Sequence, residues 1–172
     1  SILGISLDLF LNAVIYILPA YISNATPTVF GGGKPIDLGK RFIDGKRIFG
    51  DHKTIRGLLS GLFFGILTGP FLYLIKLEKN LFTATYRALL LSVGTHIGDL
   101  FGSFIKRRLN LKPGSSAPIL DQIGFLIFAL IITYPFFPID LLSIIILVTL
   151  TLILHPLTNL IAYILKLKEK PY

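Results

Sequence analysis

The sequence predicts an all-α integral membrane protein of five transmembrane helices, N-terminus outside and C-terminus in the cytoplasm. Three observations carry this reading. Of 172 residues, 53% are hydrophobic and 15% charged, and the mean hydropathy is +0.76, whereas a soluble domain carries about a quarter charged residues. Apolar stretches near 2–22, 57–75, 83–105, 119–137 and 139–165 approach the roughly 20 residues that a span needs. The basic residues are segregated. Fourteen of the seventeen Lys and Arg fall in the loops 23–56 and 106–118 and in the C-terminal tail, which places those segments inside. Residues 1–172 read as a single transmembrane domain with no soluble domain attached.

The first stretch lacks a basic N-terminal region and a small-residue cleavage site, so it is expected to be retained as a span. The chain begins at Ser1 and contains no methionine, as expected of a processed or engineered product. The absence of cysteine excludes disulfides and thiol chemistry.

The loop 23–56 is too long for a connector, and loops of that length are functional or disordered. It holds Asn24, then Gly31-Gly32-Gly33-Lys34-Pro35, then Asp37, Arg41, Asp44 and Lys46, and ends in Gly50-Asp51-His52-Lys53-Thr54-Ile55-Arg56-Gly57. The triple glycine is not a P-loop, because the GxxxxGK[ST] spacing is missing. His52 is uninformative by itself.

The first and second spans are clear, and the third is polar. Ser92, Thr95, His96, Asp99, Gly102, Ser103 and Lys106 recur at three- and four-residue steps, which puts them on one helix face. An ionisable residue inside a span is costly and marks function by default. Asp99 lies about two turns, roughly 10 Å, from the cluster Lys106-Arg107-Arg108. His96, beside Asp99, reads as a ligand, a hydrogen-bond partner or a packed residue, with the partner role favoured.

The fourth span starts at Asp121-Gln122, just after Pro113-Gly114. Asp121 reads either as a cation ligand or as a helix N-cap. Phe137-Pro138-Ile139 separates the last two spans, with proline ending a helix. Pro156 is expected to kink the fifth. Thr151, His155, Thr158 and Asn159 there form a second polar stripe, which lines a cavity or bonds across helices.

Asp99 and Asp121, on adjacent antiparallel helices near the inner interface, could share hard cations. Mg²⁺ is held by one or two carboxylates plus substrate phosphates. The surrounding lysines and arginines suit a nucleoside triphosphate or a lipid phosphate.

At these residues the chain resembles a known family. Asp99-Leu-Phe-Gly-Ser103-Phe-Ile-Lys106-Arg107, then Pro113-Gly114 and Asp121-Gln122, looks like the signature of the CTP-dependent phosphatidate cytidylyltransferases. Asn24-Ala-Thr-Pro27, Gly33-Lys34-Pro35 and Gly50-x-x-Lys53-Thr54-x-Arg56-Gly57 bring it closer to the short archaeal branch, the CDP-archaeol synthases. Asp121-Gln122 replaces the Asp-Arg followed by a further Asp of the bacterial and eukaryotic branch, and Ser115-Ser116 stands where that branch has His-Gly-Gly. One acidic ligand candidate is thereby lost.

The resemblance implies transfer of CMP from CTP to an unsaturated ether-lipid phosphate. It implies Asp99, Asp121 and Lys106 as catalytic residues, with Asp99 and Asp121 holding Mg²⁺. Lys53, Thr54, Arg56, Ser103, Arg107, Asn24 and Lys34 would bind CTP or phosphate. The implied partners are CTP, a polyprenyl ether-lipid phosphate and membrane lipids, with no nucleic acid; a homodimer is compatible with the sequence. The expected location is the plasma membrane, multi-pass, with the site facing the cytoplasm. The leading alternative is a small transporter or channel subunit, which would need polar residues along a complete path; here they fall in the cytoplasmic halves. A CDP-alcohol phosphotransferase would need aspartates clustered on two helices, whereas the nine acidic residues are scattered.

Overall fold

The structure, a computed structural model, describes residues 6–112 and 117–166. Pro113-Gly114, Ser115-Ser116 and the basic tail beyond 166, and the side chains of Gln122, His155, Thr158 and Asn159, lie outside the described residues.

Five helices follow in order: α1 (Leu7–Phe30), α2 (Ile55–Leu74), α3 (Leu81–Arg108), α4 (Pro118–Thr133) and α5 (Leu141–Ile164). Four start on a side-chain cap. Ser6, Thr54, Asn80 and Asp140 accept from the backbone N–H three residues on, satisfying a donor that the first turn leaves unpaired. α4 instead starts on Pro118, whose missing N–H costs nothing there. α1, α2 and α3 are long and apolar enough to cross a membrane; α4 and α5 carry the shorter apolar segments Ile123–Thr133 and Leu141–Leu154.

Two expected boundaries shift. α1 continues eight residues past position 22, so the first loop is 31–54 rather than 23–56. The polar run Ser23-Asn24-Ala25-Thr26 stays helical because its hydroxyls turn inward; Thr26 donates to the Ile22 carbonyl at 2.6 Å. The helix stops only at Gly31, whose N–H donates to Pro27 O at 2.9 Å. α3 likewise runs through Arg108, which trims the second loop to 109–117. α5 stays helical through Pro156.

Close approach of the helices is a consequence of glycine. On α2, Gly57, Gly61, Gly65 and Gly69 recur every four residues and are all buried. A Cβ on Gly61 would lie 2.5 Å from His96 Cε1 and 2.8 Å from Ser23 O; on Gly65, 2.7 Å from Ser23 Cβ; on Gly69, 2.5 Å from Ala84 O. Gly94 and Gly98 on α3 face α4 in the same way, 2.6 Å from Ala129 Cα and from Gly124 O. Lipid offers little hydrophobic drive for helix association, so small residues and the dispersion contacts they permit do the packing. The apolar core lies where Ala13, Ile17 and Ala20 of α1 meet Leu91 of α3, Phe125, Leu126 and Ala129 of α4, and Leu147 of α5. α3 sits centrally, against α1, α2 and α4. The opposite face of α2, with Leu59, Phe63, Leu67 and Phe71, is exposed.

The loop 31–54 folds on Asp37. Its buried carboxylate accepts from the N–H groups of Gly39, Phe49 and Gly50 and pairs with Arg47 at 2.6 Å. Two isolated bridges, Pro35 to Thr54 and Arg41 to Arg47, close it on itself. Arg108 docks it on α3, pairing with Asp44 at 2.5 Å and donating to Arg47 O at 2.6 Å. The Arg108 guanidinium stacks over Phe104 at 4.4 Å, and Phe104 meets Phe42 edge-on at 5.2 Å.

Candidate active site

The site forms where the folded loop meets the C-terminal parts of α1 and α3 and the N-terminal part of α2. Lys53, the last loop residue before the α2 cap, donates to Asp99 on α3 at 2.5 Å. One turn of α3 away, His96 Nε2 is 3.0 Å from Ser23 Oγ of α1. That hydroxyl donates to Gly61 O of α2 at 3.0 Å, so the imidazole supplies the proton between His96 and Ser23. His96 is thus the hydrogen-bonding partner that its spacing suggested, and it ties three helices beneath Asp99. The Asp99 side chain keeps 34% of its surface accessible, so its free oxygen can meet a ligand.

A second pair stands alongside. Lys106, near the end of α3, donates to Asp121 of α4 at 2.6 Å. Lys106 therefore serves Asp121, while Asp99 takes Lys53. Asp121 is not an N-cap; Ala117 holds that position without a side-chain bond. Asp121 instead reaches back to accept from the Ala117 N–H at 2.8 Å.

The other candidates are placed as follows. Thr54 is buried and its hydroxyl caps α2, accepting from Gly57 N at 3.1 Å. Arg56 donates through Nε to the carbonyls of Phe30 and Gly31, at 2.9 and 3.0 Å, and through Nη2 again to Gly31. Lys34 is exposed, and its backbone carbonyl accepts from Ile55 N at 3.0 Å. Arg107 is buried and donates to Lys112 O at 3.1 Å. Ser103 is buried on α3, and Asn24 is half-buried in the last turns of α1.

Sequence reasoning left Ser23 and Asp37 without a role. Asp37 was findable, since Asp-Leu-Gly announces the turn in which a carboxylate bonds the amide two residues on. Burial pushes the Asp37 carboxyl up, but the Arg47 guanidinium and three backbone N–H groups outweigh it and hold the carboxyl well below its ordinary range. Ser23 carried no local signal, since its partners come from α2 and α3.

Among the described residues, no three His, Cys, Asp or Glu side chains gather as a metal cage. Two carboxylates are present, each held by a lysine. This donor set suits a hard cation that takes its remaining ligands from substrate phosphates and water.

Comparison with known proteins agrees with this architecture. Residues 6–172 match the family model described as CarS-like, CDP-archaeol synthase. The chain is 47% identical over 170 residues to the CDP-archaeol synthase of Methanococcus aeolicus, covering 94% of this chain and 96% of the relative. It is 48% identical over 163 residues to that of Pyrococcus furiosus, covering 94% and 98%. The solved structure of an intramembrane enzyme for archaeal membrane lipids biosynthesis superposes with a TM-score of 0.80 at 36% identity, over 87% of this chain and 94% of that one.

Proposed function

The chain belongs to the CarS-like family of CDP-archaeol synthases, and from that premise we propose that it transfers CMP from CTP to an unsaturated archaeal ether-lipid phosphate, digeranylgeranylglyceryl phosphate. The products are CDP-archaeol and pyrophosphate. A phosphate oxygen of the lipid attacks the α-phosphorus of CTP, and the bond from that phosphorus to the bridging oxygen of the β-phosphate breaks. The second pKa of a phosphomonoester is about 6, so the nucleophile is already largely ionised at neutral pH. No general base is needed, and catalysis reduces to positioning and charge neutralisation.

The observation that carries this reading is that two lysine–carboxylate pairs, Lys53–Asp99 and Lys106–Asp121, are both anchored on α3, at residues about two turns apart. In the resting chain each lysine neutralises a carboxylate. When a polyphosphate arrives, the ammonium groups turn to its oxygens and the carboxylates become free. Asp99 and Asp121 would then hold Mg²⁺, which supplies Lewis-acid neutralisation of the α-phosphate and the leaving pyrophosphate. Lys53, Lys106 and the neighbouring Arg107 provide fixed positive charge toward the phosphates, and Ser103 and Asn24 offer hydrogen bonds. The His96–Ser23 link holds α3 in register with α1 and α2 beneath the site.

We place all five helices across the bilayer, with the loops 31–54 and 109–117 in the cytoplasm, where CTP is. The lipid chains stay at bilayer depth. Incorporation of radiolabelled CTP into lipid by the purified protein tests this reading. A labelled CDP-lipid is expected with an ether-lipid phosphate as acceptor. No labelled lipid, together with solute flux through proteoliposomes, would replace the enzyme by a transporter.

A further inference from the structure

We propose that the groove between the glycine turn of the first loop and the outer face of α2 is the seat of the lipid phosphate, with Lys34 and Arg56 holding its headgroup and Leu59, Phe63 and Phe64 its chain. The proposal rests on the transferase reading above and deepens it. The groove has a volume of about 540 Å³ and is lined by Gly32, Gly33, Lys34, Arg56, Ser60 and the apolar Leu59, Phe63 and Phe64.

Charge is the first argument. Lys53, Lys106, Arg47, Arg87 and Arg108 each pair with a carboxylate. Lys34 and Arg56 are among the described basic residues with no acidic partner, they are the two that line this groove, and Lys34 has no side-chain hydrogen bond. Arg56 is held by carbonyls of Phe30 and Gly31 through Nε and Nη2, which leaves Nη1 with two free donors. Two unneutralised cations at the mouth of an apolar groove suit an anionic headgroup with an apolar tail.

Depth is the second. Phe63 lies seven residues along α2 from Arg56, about 10 Å deeper at 1.5 Å per residue. A headgroup at Arg56 therefore sends its chain past Leu59 to Phe63. Phe64 is fixed there by stacking on Phe30, with ring centroids 5.2 Å apart, while Phe63 meets it edge-on.

Backbone is the third. Gly32 and Gly33 have φ of +95° and +82°, a region that side chains avoid. A Cβ on Gly32 would come within 3.3 Å of Arg56 Nη2, so glycine keeps the guanidinium uncovered. Lys53 and Arg56 flank the Thr54 cap, so the charged end of the groove lies three residues along the chain from the lysine that pairs with Asp99.

The chain has no tryptophan, which gives a direct test. F63W protein is reconstituted in phosphatidylcholine vesicles and titrated with chain-brominated phosphatidate, a lipid phosphomonoester. Quenching should exceed that by brominated phosphatidylcholine at equal mole fraction, and K34Q in the F63W background should remove the excess. F71W, on the same exposed face but outside the groove, should show no excess. In parallel, K34Q should raise the apparent KM for lipid phosphate about tenfold, as expected for losing one charged partner, and leave that for CTP within about twofold. Equal quenching by the two lipids, or a KM effect confined to CTP, would overturn the groove. Excess quenching without any CDP-lipid formed would keep the groove and reject the transferase reading. CDP-lipid formation without excess quenching would do the reverse.

Discussion

Lys53 and Asp99, 46 residues apart in sequence, meet at 2.5 Å where the first loop crosses α3. This contact explains how a carboxylate persists inside a span. Its charge is matched by an ammonium that the fold brings from the loop 31–54, and that loop is pinned by Asp37 and Arg108.

Asp99→Asn should therefore abolish transfer, by on the order of 100-fold or more, while the bundle stays folded. Asparagine keeps the shape and loses the negative charge. Labelled-CTP turnover together with size-exclusion behaviour in detergent checks this. Near wild-type turnover would remove Asp99 from the reaction.

Lys53→Ala should weaken use of CTP by about 1.5–3 kcal/mol, the value of a hydrogen bond to a charged group. That is about ten- to over a hundredfold in the apparent KM for CTP, with KM for the lipid little changed. A loss shared equally by both substrates would assign Lys53 to loop docking instead.

Activity should vanish on chelation and return with Mg²⁺ or Mn²⁺, hard ions that prefer carboxylate and phosphate oxygens. Because the described residues of the site offer two carboxylates and no cage, the metal requirement should track CTP concentration. Measuring activation by Mg²⁺ at several CTP levels checks the coupling. Full turnover in excess EDTA would exclude this role.

Much of this was legible in the sequence. The five apolar stretches became five helices, and Asp99, Lys106 and Asp121 stood out because charge in an apolar run has few explanations. The place of Thr54 before the α2 run suits a cap, and the four-residue glycine period on α2 suits a packing face, but neither is read from the sequence, which offers Thr54 only as a CTP or phosphate ligand. What stayed hidden depends on three dimensions. The α1 boundary was misplaced because Ser23 and Thr26 look like a loop until their hydroxyls are seen turned inward. The pairing of lysines with aspartates was also invisible. Lys106 is closer to Asp99 in sequence, but the loop delivers Lys53 to Asp99 and α4 delivers Asp121 to Lys106.

Asp37→Asn should loosen the first loop in a pH-dependent way. The native carboxyl titrates below its ordinary range: burial raises it, and Arg47 with the backbone N–H groups of Gly50, Phe49 and Gly39 lowers it further. A carboxyl depressed in the folded state adds stability above its unfolded pKa of about 3.9, which is lost as pH falls toward the folded value. The thermal-stability gap between wild type and Asp37→Asn should therefore be full at pH 7 and shrink below about pH 4. A gap independent of pH would mean that shape, not charge, organises the loop.

Asp121→Ala should damage transfer nearly as much as Asp99→Ala, and the double variant should be little worse than either. The two carboxylates sit in separate lysine pairs in the resting chain, so their resting roles predict additive effects. If both serve one metal–CTP assembly in turnover, they act as a unit and their losses do not add. A purely structural Asp121 gives a different pattern. Losing its bond to the Ala117 N–H and its pair with Lys106 would cost about 1 kcal/mol of stability and leave most of the rate. The deciding measurement is a double-mutant cycle on the transfer rate, with thermal unfolding of all four proteins alongside. Multiplicative losses, or an active Asp121→Ala, would break the shared-metal arrangement and leave Asp99 as the sole acidic anchor, with Lys106 and Asp121 serving only to hold α4 against α3.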